Sequence, residues 1–415
     1  MASSVELPPF VHDSIATIAL QEGFTSDRFS VIIESGCNKG DGFSSDLFRV
    51  IVEQDGRKLV LLCKLPPLNQ ARRQQFNSMK IFERESLLYS KLLPNLIEFQ
   101  SQKGVQPHEG FFNVPKCYLA SCDVEKEQSI IALEDLRERG LKMWNKMIPV
   151  NYEHARMLMV HLGRYHAVSF AIKDQQPELF EQFKIPDLMT TAMAENEAIR
   201  ALVNATMDRA IGVLDADEDV ARWKMVALKE NYFEAMRKCC DGAGTEPYAV
   251  LVHGDCWINN MMFSYKNKIP ESMILLDWQG ARYASPVLDL SYFFSCCTDE
   301  AFRRQYYDEM LNIYYGSLRD LLERLGGDPA RQFPFTALLR QLTRNARYGV
   351  MLAAFVLPVI CTANEDIPDL NDAAERYHKS QQLEANMFAN SGSSEEAFRR
   401  RMRGLIRDMV RFGYI

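Results

Sequence analysis

Hydrophobic and polar positions trade places in short runs near the start of the chain. Phe29-Ser-Val-Ile-Ile-Glu, Leu47-Phe-Arg-Val-Ile-Val and Leu59-Val-Leu-Leu-Cys-Lys are rich in β-branched and aromatic residues and read as strands. Gly36 to Ser45 and Gln54-Asp-Gly-Arg supply turn chemistry between them, so an antiparallel meander is expected. A short amphipathic helix is expected before it, over Ile15–Leu20. After it the pattern predicts a helix from about Gln74 to Leu93, ended by Pro94. Two further strand-like runs, Val114–Ser121 and Ser129–Leu133, flank a charged turn. Beyond Leu136 the period becomes helical, most clearly from Tyr152 to Met236, with one strand-and-loop island at Tyr248–Gln279 and helical sequence again to the end. The reading is an α+β chain, with a strand-rich unit holding one long helix over residues 1–136 and a larger, mainly helical unit over residues 137–415.

Composition narrows this picture. At 415 residues, 47% hydrophobic and 25% charged, the chain can bury a sizeable core, and disorder as the main state is excluded. A net charge of −7 lacks the basic footprint of a general nucleic-acid binder. The 10 cysteines include adjacent pairs and no CxxC spacing, which points to a reducing compartment and to small buried hydrophobes. The amino terminus shows no basic region followed by an apolar core. The longest apolar run, Tyr348 to Ala363, is interrupted by Pro358 and is shorter than the roughly 20 residues of a membrane span. A cytoplasmic monomer without membrane attachment is expected, with Tyr348–Ala363 as a buried helix.

Chemistry concentrates in the island. Its first apolar strand runs into His253-Gly-Asp255 and then Asn260, and its second runs into Asp277. His-x-Asp-x4-Asn is the catalytic-loop spacing of kinases, in which the Asp receives or orients the acceptor hydroxyl and the Asn helps to hold magnesium. Asp277 stands where a metal-binding Asp belongs, and hard oxygen ligands suit Mg²⁺. The bland readings are an ordinary turn for Asp255 and Asn260, and for His253 a core imidazole tied to backbone.

Support comes from the strand-rich unit. Lys64 interrupts an apolar strand, and Glu85 falls in the apolar stripe Ile81, Leu88, Leu92 of the following helix. Each charge needs a partner, and the economical solution is an ion pair of the kind that lets a kinase lysine reach nucleotide phosphates; the alternative is that both reach solvent. The loop Lys39-Gly-Asp-Gly-Phe-Ser-Ser offers backbone N–H groups and the Ser44 and Ser45 hydroxyls to phosphates, or is plain hairpin chemistry. Glu134-Asp-Leu136, at the hand-over between units, is placed to meet an adenine through its backbone or is simply a linker. Between Asp277 and Asp289 there is too little chain for a polypeptide-docking activation segment, so a small acceptor is favoured. His154, His161 and His166 lack zinc spacing and read as structural.

Taken together, these motifs resemble the ecdysteroid kinase-like (CHK kinase-like) family, related to choline kinases and aminoglycoside phosphotransferases. The resemblance rests on Lys-Gly-Asp-Gly-Phe-Ser-Ser at 39–45, Cys-Lys-Leu-Pro at 63–66 and Phe-Glu-Arg-Glu-Ser-Leu-Leu-Tyr at 82–89. It continues through Leu-Glu-Asp-Leu at 133–136, Val-His-Gly-Asp-Cys-Trp-Ile-Asn-Asn at 252–260, Leu-Asp-Trp-Gln at 276–279 and Pro-Val-Leu-Asp-Leu at 286–290. It implies a two-lobed protein-kinase-like fold, ATP and Mg²⁺ as cofactors, and phosphorylation of a hydroxyl on a small molecule such as an ecdysteroid, a related steroid or a hydroxylated xenobiotic. In that frame Asp255 resembles the catalytic base, Asn260 and Asp277 the metal ligands, Lys64 the phosphate lysine, Glu85 its partner and Asp289 a support of the catalytic loop. Trp278 departs from the smaller Phe of the family's Asp-Phe-Gln version, a change of packing beneath the metal site. Two other functions compete. A choline- or aminoglycoside-type acceptor would require an acidic or aromatic cage beside Asp255, for which Trp257, Tyr283 and the acidic run Asp215 to Asp219 are the candidates. A catalytically silent nucleotide- or ligand-binding protein would usually lack one of the charged residues named above.

Overall fold

Alternation in the sequence becomes alternation of burial. In the computed structural model, which describes residues 7–36, 44–187, 190, 194–380, 383 and 391–415, strand Asp46–Gln54 buries Phe48, Val50 and Val52 and leaves the residues between them half-exposed. Strands β1 (Ser30–Ser35), β2 (Asp46–Gln54), β3 (Arg57–Leu65), β4 (Cys117–Asp123) and β5 (Gln128–Glu134) form one antiparallel sheet in the order β1-β2-β3-β5-β4. Helix α1 (Pro9–Gln21) covers one face, where Val11, Ile15 and Ile18 join Phe48, Val50, Leu61, Cys63 and Ile130 in a single core. Successive side chains on a strand point to opposite faces, so Cys63 and Leu65 enter that core and Lys64 is delivered to the other side. Both edges of β3 are paired at this point, with Lys64 opposite Leu47 on β2 and Ile131 on β5.

The helix expected from Gln74 to Leu93 is interrupted at its start and does not stop at Pro94. A short helix, α2 (Gln70–Gln75), gives way at Asn77, whose backbone is left-handed (φ 48°), and α3 (Ser78–Leu87) begins after it. A proline inside a helix removes one hydrogen bond and presses its ring on the carbonyl four residues earlier. Here the turn Leu88–Leu92 is π-wound, with the Leu93 N–H reaching the Leu88 carbonyl. That wider turn lets the chain run through Pro94 as α4 (Leu93–Gln102).

The chain divides into two compact units. The first comprises Met1–Pro94, Val114–Lys142 and Asn364–Gln381; the second comprises Asn95–Asn113, Met143–Ala363 and Gln382–Ile415. Within the first, helix Leu370–Ser380 packs on α2, with Arg72 donating to Asn371 Oδ1 at 3.1 Å and Asn69 to Glu375 Oε1 at 3.0 Å. The second carries α5 (Tyr152–Gln175), strands β6 (Val250–Val252), β7 (Met261–Lys266), β8 (Ile269–Leu275) and β9 (Arg282–Ala284), and helices α6 (Val287–Cys297), α7 (Glu300–Arg324) and α8 (Arg347–Cys361). Strand β6 pairs antiparallel with β9, and β7 pairs with β8 as a hairpin. The class is α+β, an antiparallel sheet with one long interrupted helix and a larger helical part, as the kinase-like plan requires. The apolar run around Pro358 is the mostly buried helix α8. The nine described cysteines are free, and seven are buried, as small core hydrophobes would be. Among the described residues no single helix is long and apolar enough to cross a membrane.

Gly163 lets α5 and α7 approach closely, since a Cβ there would overlap the Tyr314 carbonyl oxygen and lie 3.0 Å from Leu318 N. Gly163→Ala therefore sets two effects against each other. Alanine favours a helix over glycine by roughly 1 kcal/mol, whereas overpacking costs about 1–3 kcal/mol. A net loss of roughly 1 kcal/mol is expected, read as a lower urea midpoint at unchanged slope. A higher midpoint would mean that the two helices separate freely.

Candidate active site

In the first unit, the side of β3 turned away from the α1 core carries Lys64. Its Nζ meets Glu85 Oε2 at 2.7 Å, with the two side chains 9% and 1% exposed. Phe82, one helical turn before Glu85 on α3, presents its ring 5.8 Å from the ammonium. Both charges interrupt apolar patterns, and each is the other's partner; removing one member of such a pair typically costs about 3–5 kcal/mol because the other is left buried. The glycine loop expected to cover phosphates lies, at residues 37–43, outside the described residues. Its exit is anchored: the Ser45 carbonyl accepts from Arg72 Nη2 at 2.6 Å, and the Ser44 carbonyl accepts from the Ser78 hydroxyl at 3.4 Å. Ser44 and Ser45 are both buried.

At the end of β5, Glu134 donates its N–H to the Lys116 carbonyl, and its carboxylate accepts from Lys116 N–H and Arg139. The Leu136 carbonyl accepts from Leu141 N–H at 3.2 Å. These groups of the linker are thus engaged within the first unit. Between them Asp135, which the sequence reading passed over, is buried and takes Arg49 Nε at 2.9 Å and Arg137 at 2.8 Å on both carboxylate oxygens. Burial pushes its carboxyl up, but the Arg137 and Arg49 hydrogen bonds outweigh this and hold it below the ordinary carboxylate value.

In the second unit, β6 leads into the loop His253-Gly254-Asp255. The His253 and Gly254 N–H groups both donate to Asp289, each at 2.8 Å, from the first turn of α6. His166 on α5 adds its Nε2 to the same carboxylate at 3.2 Å. Burial pushes the Asp289 carboxyl up, yet the His166 contact, the nearby His253 and the Gly254 N–H hold it below the ordinary value. His253 Nδ1 accepts the Asp255 N–H at 3.3 Å, so the ring proton sits on Nε2, which donates to the Leu276 carbonyl at 2.9 Å. It is a core imidazole tied to backbone.

Asn260 bridges the two halves of the island. Its Nδ2 donates to the Asp255 carbonyl and to Asp255 Oδ2, both at 2.9 Å, and its own carbonyl accepts the Leu276 N–H at 2.9 Å. Asp277 follows directly in a left-handed conformation (φ 61°, ψ 71°), which costs a non-glycine residue of order 1–3 kcal/mol and is characteristic of functional sites. Gln279 Nε2 donates to Asp277 Oδ2 at 3.2 Å. Trp278 turns inward, fully buried against His253, Tyr165 and Phe111. The larger ring is thus absorbed beneath the loop.

Burial, and after it the charge of Asp277, raises the Asp255 carboxyl above the ordinary aspartate value, while His253, the Tyr292 hydroxyl on α6 and Asn260 oppose the rise. The donor set is two neighbouring carboxylates and an amide whose NH₂ is already turned to Asp255. Such hard oxygens fit Mg²⁺, which keeps waters and needs one or two protein carboxylates. Among the described residues no three His, Cys, Asp or Glu side chains gather into a metal cage. His154 lies between Asn151 and Tyr265, its pKa lowered to about 4 by burial, and His161 is lowered to about 3 by burial and Arg164.

The chain is similar to known proteins at the level of family, sequence and structure. The sequence profile of the ecdysteroid kinase-like family matches residues 39–327. An uncharacterized oxidoreductase of Caenorhabditis elegans, dhs-27, is 23% identical over 253 residues, covering 59% of this chain. The chain spans 29% of the length of that curated relative. Among solved structures, Plasmodium vivax ethanolamine kinase Pv091845 is 12% identical with a TM-score of 0.42, covering 98% of this chain and 92% of that one. A GDP and kanamycin complex of APH(2")-IIIa is 12% identical with a TM-score of 0.41, covering 83% of this chain and 90% of that one.

The like-charged neighbours define a pH test on the metal-free protein. A carboxyl whose folded pKa is raised binds its proton more tightly folded than unfolded, so stability falls as pH rises from the unfolded value of about 3.9 toward the folded one. Asp255→Asn is expected to remove that loss, raising stability at pH 7 by roughly 0.5–2 kcal/mol. The gain should fade below about pH 4. An unchanged or lower urea midpoint at pH 7 would contradict the half-buried like-charge arrangement.

Proposed function

The chain belongs to the ecdysteroid kinase-like family, and on that premise we propose that it is an ATP-dependent small-molecule kinase. In this reading it transfers the γ-phosphate to a hydroxyl of a hydrophobic alcohol: an ecdysteroid, a related steroid or a hydroxylated xenobiotic. The observation that carries the proposal is the Asp255–Asn260 hydrogen bond beside Asp277, on a loop braced by Asp289.

Asp255 acts as the base. The acceptor oxygen forms a bond to the γ phosphorus, the phosphorus–oxygen bond to the leaving ADP breaks, and the hydroxyl proton passes to the Asp255 carboxylate. Its raised proton affinity suits this role, and Asn260 fixes the direction of the carboxylate. Lys64, paired with Glu85, binds nucleotide phosphates; Ser44 and Ser45 belong to the phosphate loop, and the segment from Glu134 to Leu136 meets the base through backbone groups other than the Glu134 N–H and the Leu136 carbonyl, which are engaged within the unit. Asn260 and Asp277 would hold Mg²⁺, which supplies charge neutralisation on phosphate oxygens.

Two facts favour the hydrophobic alcohol over a choline- or aminoglycoside-type cation. Asp215 and Glu218, from the acidic run that might have formed a cage, are engaged by Arg403 and Arg407. The Tyr283 hydroxyl is taken by Lys173 and Glu246. A silent binding protein is disfavoured because Lys64, Glu85, Asp255, Asn260 and Asp277 are all retained.

Incubation of the purified protein with labelled ATP and pools of steroids, hydroxylated xenobiotics, choline and aminoglycosides tests the proposal. Label is expected in the steroid or xenobiotic pool. Asp255→Ala is expected to lower kcat about 100- to 10,000-fold while nucleotide affinity changes little. Asp277→Ala should weaken magnesium–nucleotide binding as well. Tight nucleotide binding with no acceptor phosphorylated would instead identify a silent binding protein.

A further inference from the structure

We propose that Arg282 is a positioning residue of the Asp255 loop, holding the Gly254 carbonyl as Asp289 holds the Gly254 N–H. The argument begins with Gly254. Its φ is +79°, and an added Cβ would overlap the Gly280 carbonyl oxygen. No side chain is available to fix this turn, so its geometry depends on where its two backbone polar groups are bound.

Those two groups go to buried side chains of opposite charge. The N–H donates to Asp289 Oδ1 at 2.8 Å, and the carbonyl accepts from Arg282 Nη2 at 3.3 Å. Asp289 is 0% exposed and Arg282 is 4% exposed. Each charge is itself held. Asp289 has His166 and the His253 N–H. Arg282 has Asp187 Oδ1 at 3.4 Å and the Tyr348 hydroxyl on α8. Burial disfavours the Arg282 cation, but the carboxylates of Asp187 and Asp289 oppose that effect, and a guanidinium stays charged in proteins.

Strand pairing sets the placement. Arg282 opens β9 directly opposite Val252, the residue before His253. The neighbouring Tyr283 N–H donates to the Ile185 carbonyl at 2.8 Å, and Asp187 Oδ2 accepts the Thr190 N–H at 3.1 Å. Arg282 therefore ties the segment around Asp187 to the peptide that carries Asp255. Its documented contact is with that peptide's oxygen, so it acts by position. A displacement of about 1 Å at a reacting group is enough to lower turnover about 100-fold.

The catalytic readout rests on the kinase reading above; the structural readout does not. In Arg282→Met, the Gly254 and Asp255 amides are expected to exchange hydrogen about tenfold faster or more, as a local loosening would allow, while the α5 amides stay unchanged. The same variant should lose about 10- to 100-fold in kcat with the KM for ATP within about threefold. Arg282→Lys should recover part of both losses, because lysine keeps the charge without the guanidinium fork. If Arg282→Met does not fold, Arg282→Lys decides, with faster exchange at Gly254 and Asp255 still expected. Wild-type exchange at these amides with wild-type kcat in a folded Arg282 variant would overturn the proposal. If the wild-type protein phosphorylates no acceptor, the kinase reading falls, and amide exchange still judges Arg282.

Discussion

Asp255 and Asp277 repel each other, and much of the second unit follows from holding them together. Burial raises the energy of the Asp255 charge, and Asp277 raises it further. Left to itself, a loop ending in such a carboxylate would turn it toward water. It is restrained because the backbone before it donates two N–H groups to Asp289, the His253 ring takes a third, and Asn260 grips both the carbonyl and the side chain of Asp255. Asp277 is held from the other direction by a left-handed backbone that few residues adopt willingly. The glycines at 254 and 280 are consequences of the same crowding, because each would overlap the other's segment if it carried a Cβ.

The first unit solves the opposite problem. There the unfavourable charge is a cation, and the Glu85 carboxylate is paired with it. Lys64 is forced to the side of the sheet away from α1 by strand alternation, and Glu85 is brought to it by a helix restarted at Asn77. Pairing along both edges of β3 leaves the lysine little freedom. A rigid ammonium loses less entropy when it binds an anion than a mobile one does. The two units therefore prepare their charges differently, one by an ion pair, the other by a net of backbone and side-chain hydrogen bonds.

Much of this was legible in the sequence because charge in an apolar pattern is conspicuous. Lys64 and Glu85 each broke a hydrophobic run, and their pairing followed from the need of each for a partner. The spacing of Asp255 and Asn260 anticipated a shared loop, and the hydrogen bond between them is there at 2.9 Å. Other features carried no local signal. Passage through Pro94 depends on a π-wound turn that exists only once the helix is formed. Helix Leu370–Ser380 joins the first unit through side chains such as Asn371 and Glu375, and nothing in an amphipathic pattern names the surface it will meet. Arg282 did carry the signal that exposed Lys64, a cation among Ala281, Tyr283 and Ala284, but its partner is a backbone carbonyl 28 residues away, which no side chain marks in the sequence.

The carbon-detected titration of the Asp255 carboxyl in the metal-free protein tests the account most directly. It should titrate above the ordinary aspartate value of about 3.9, and Asp277→Asn should move it downward. A carboxyl titrating at the ordinary value and indifferent to that substitution would contradict the account.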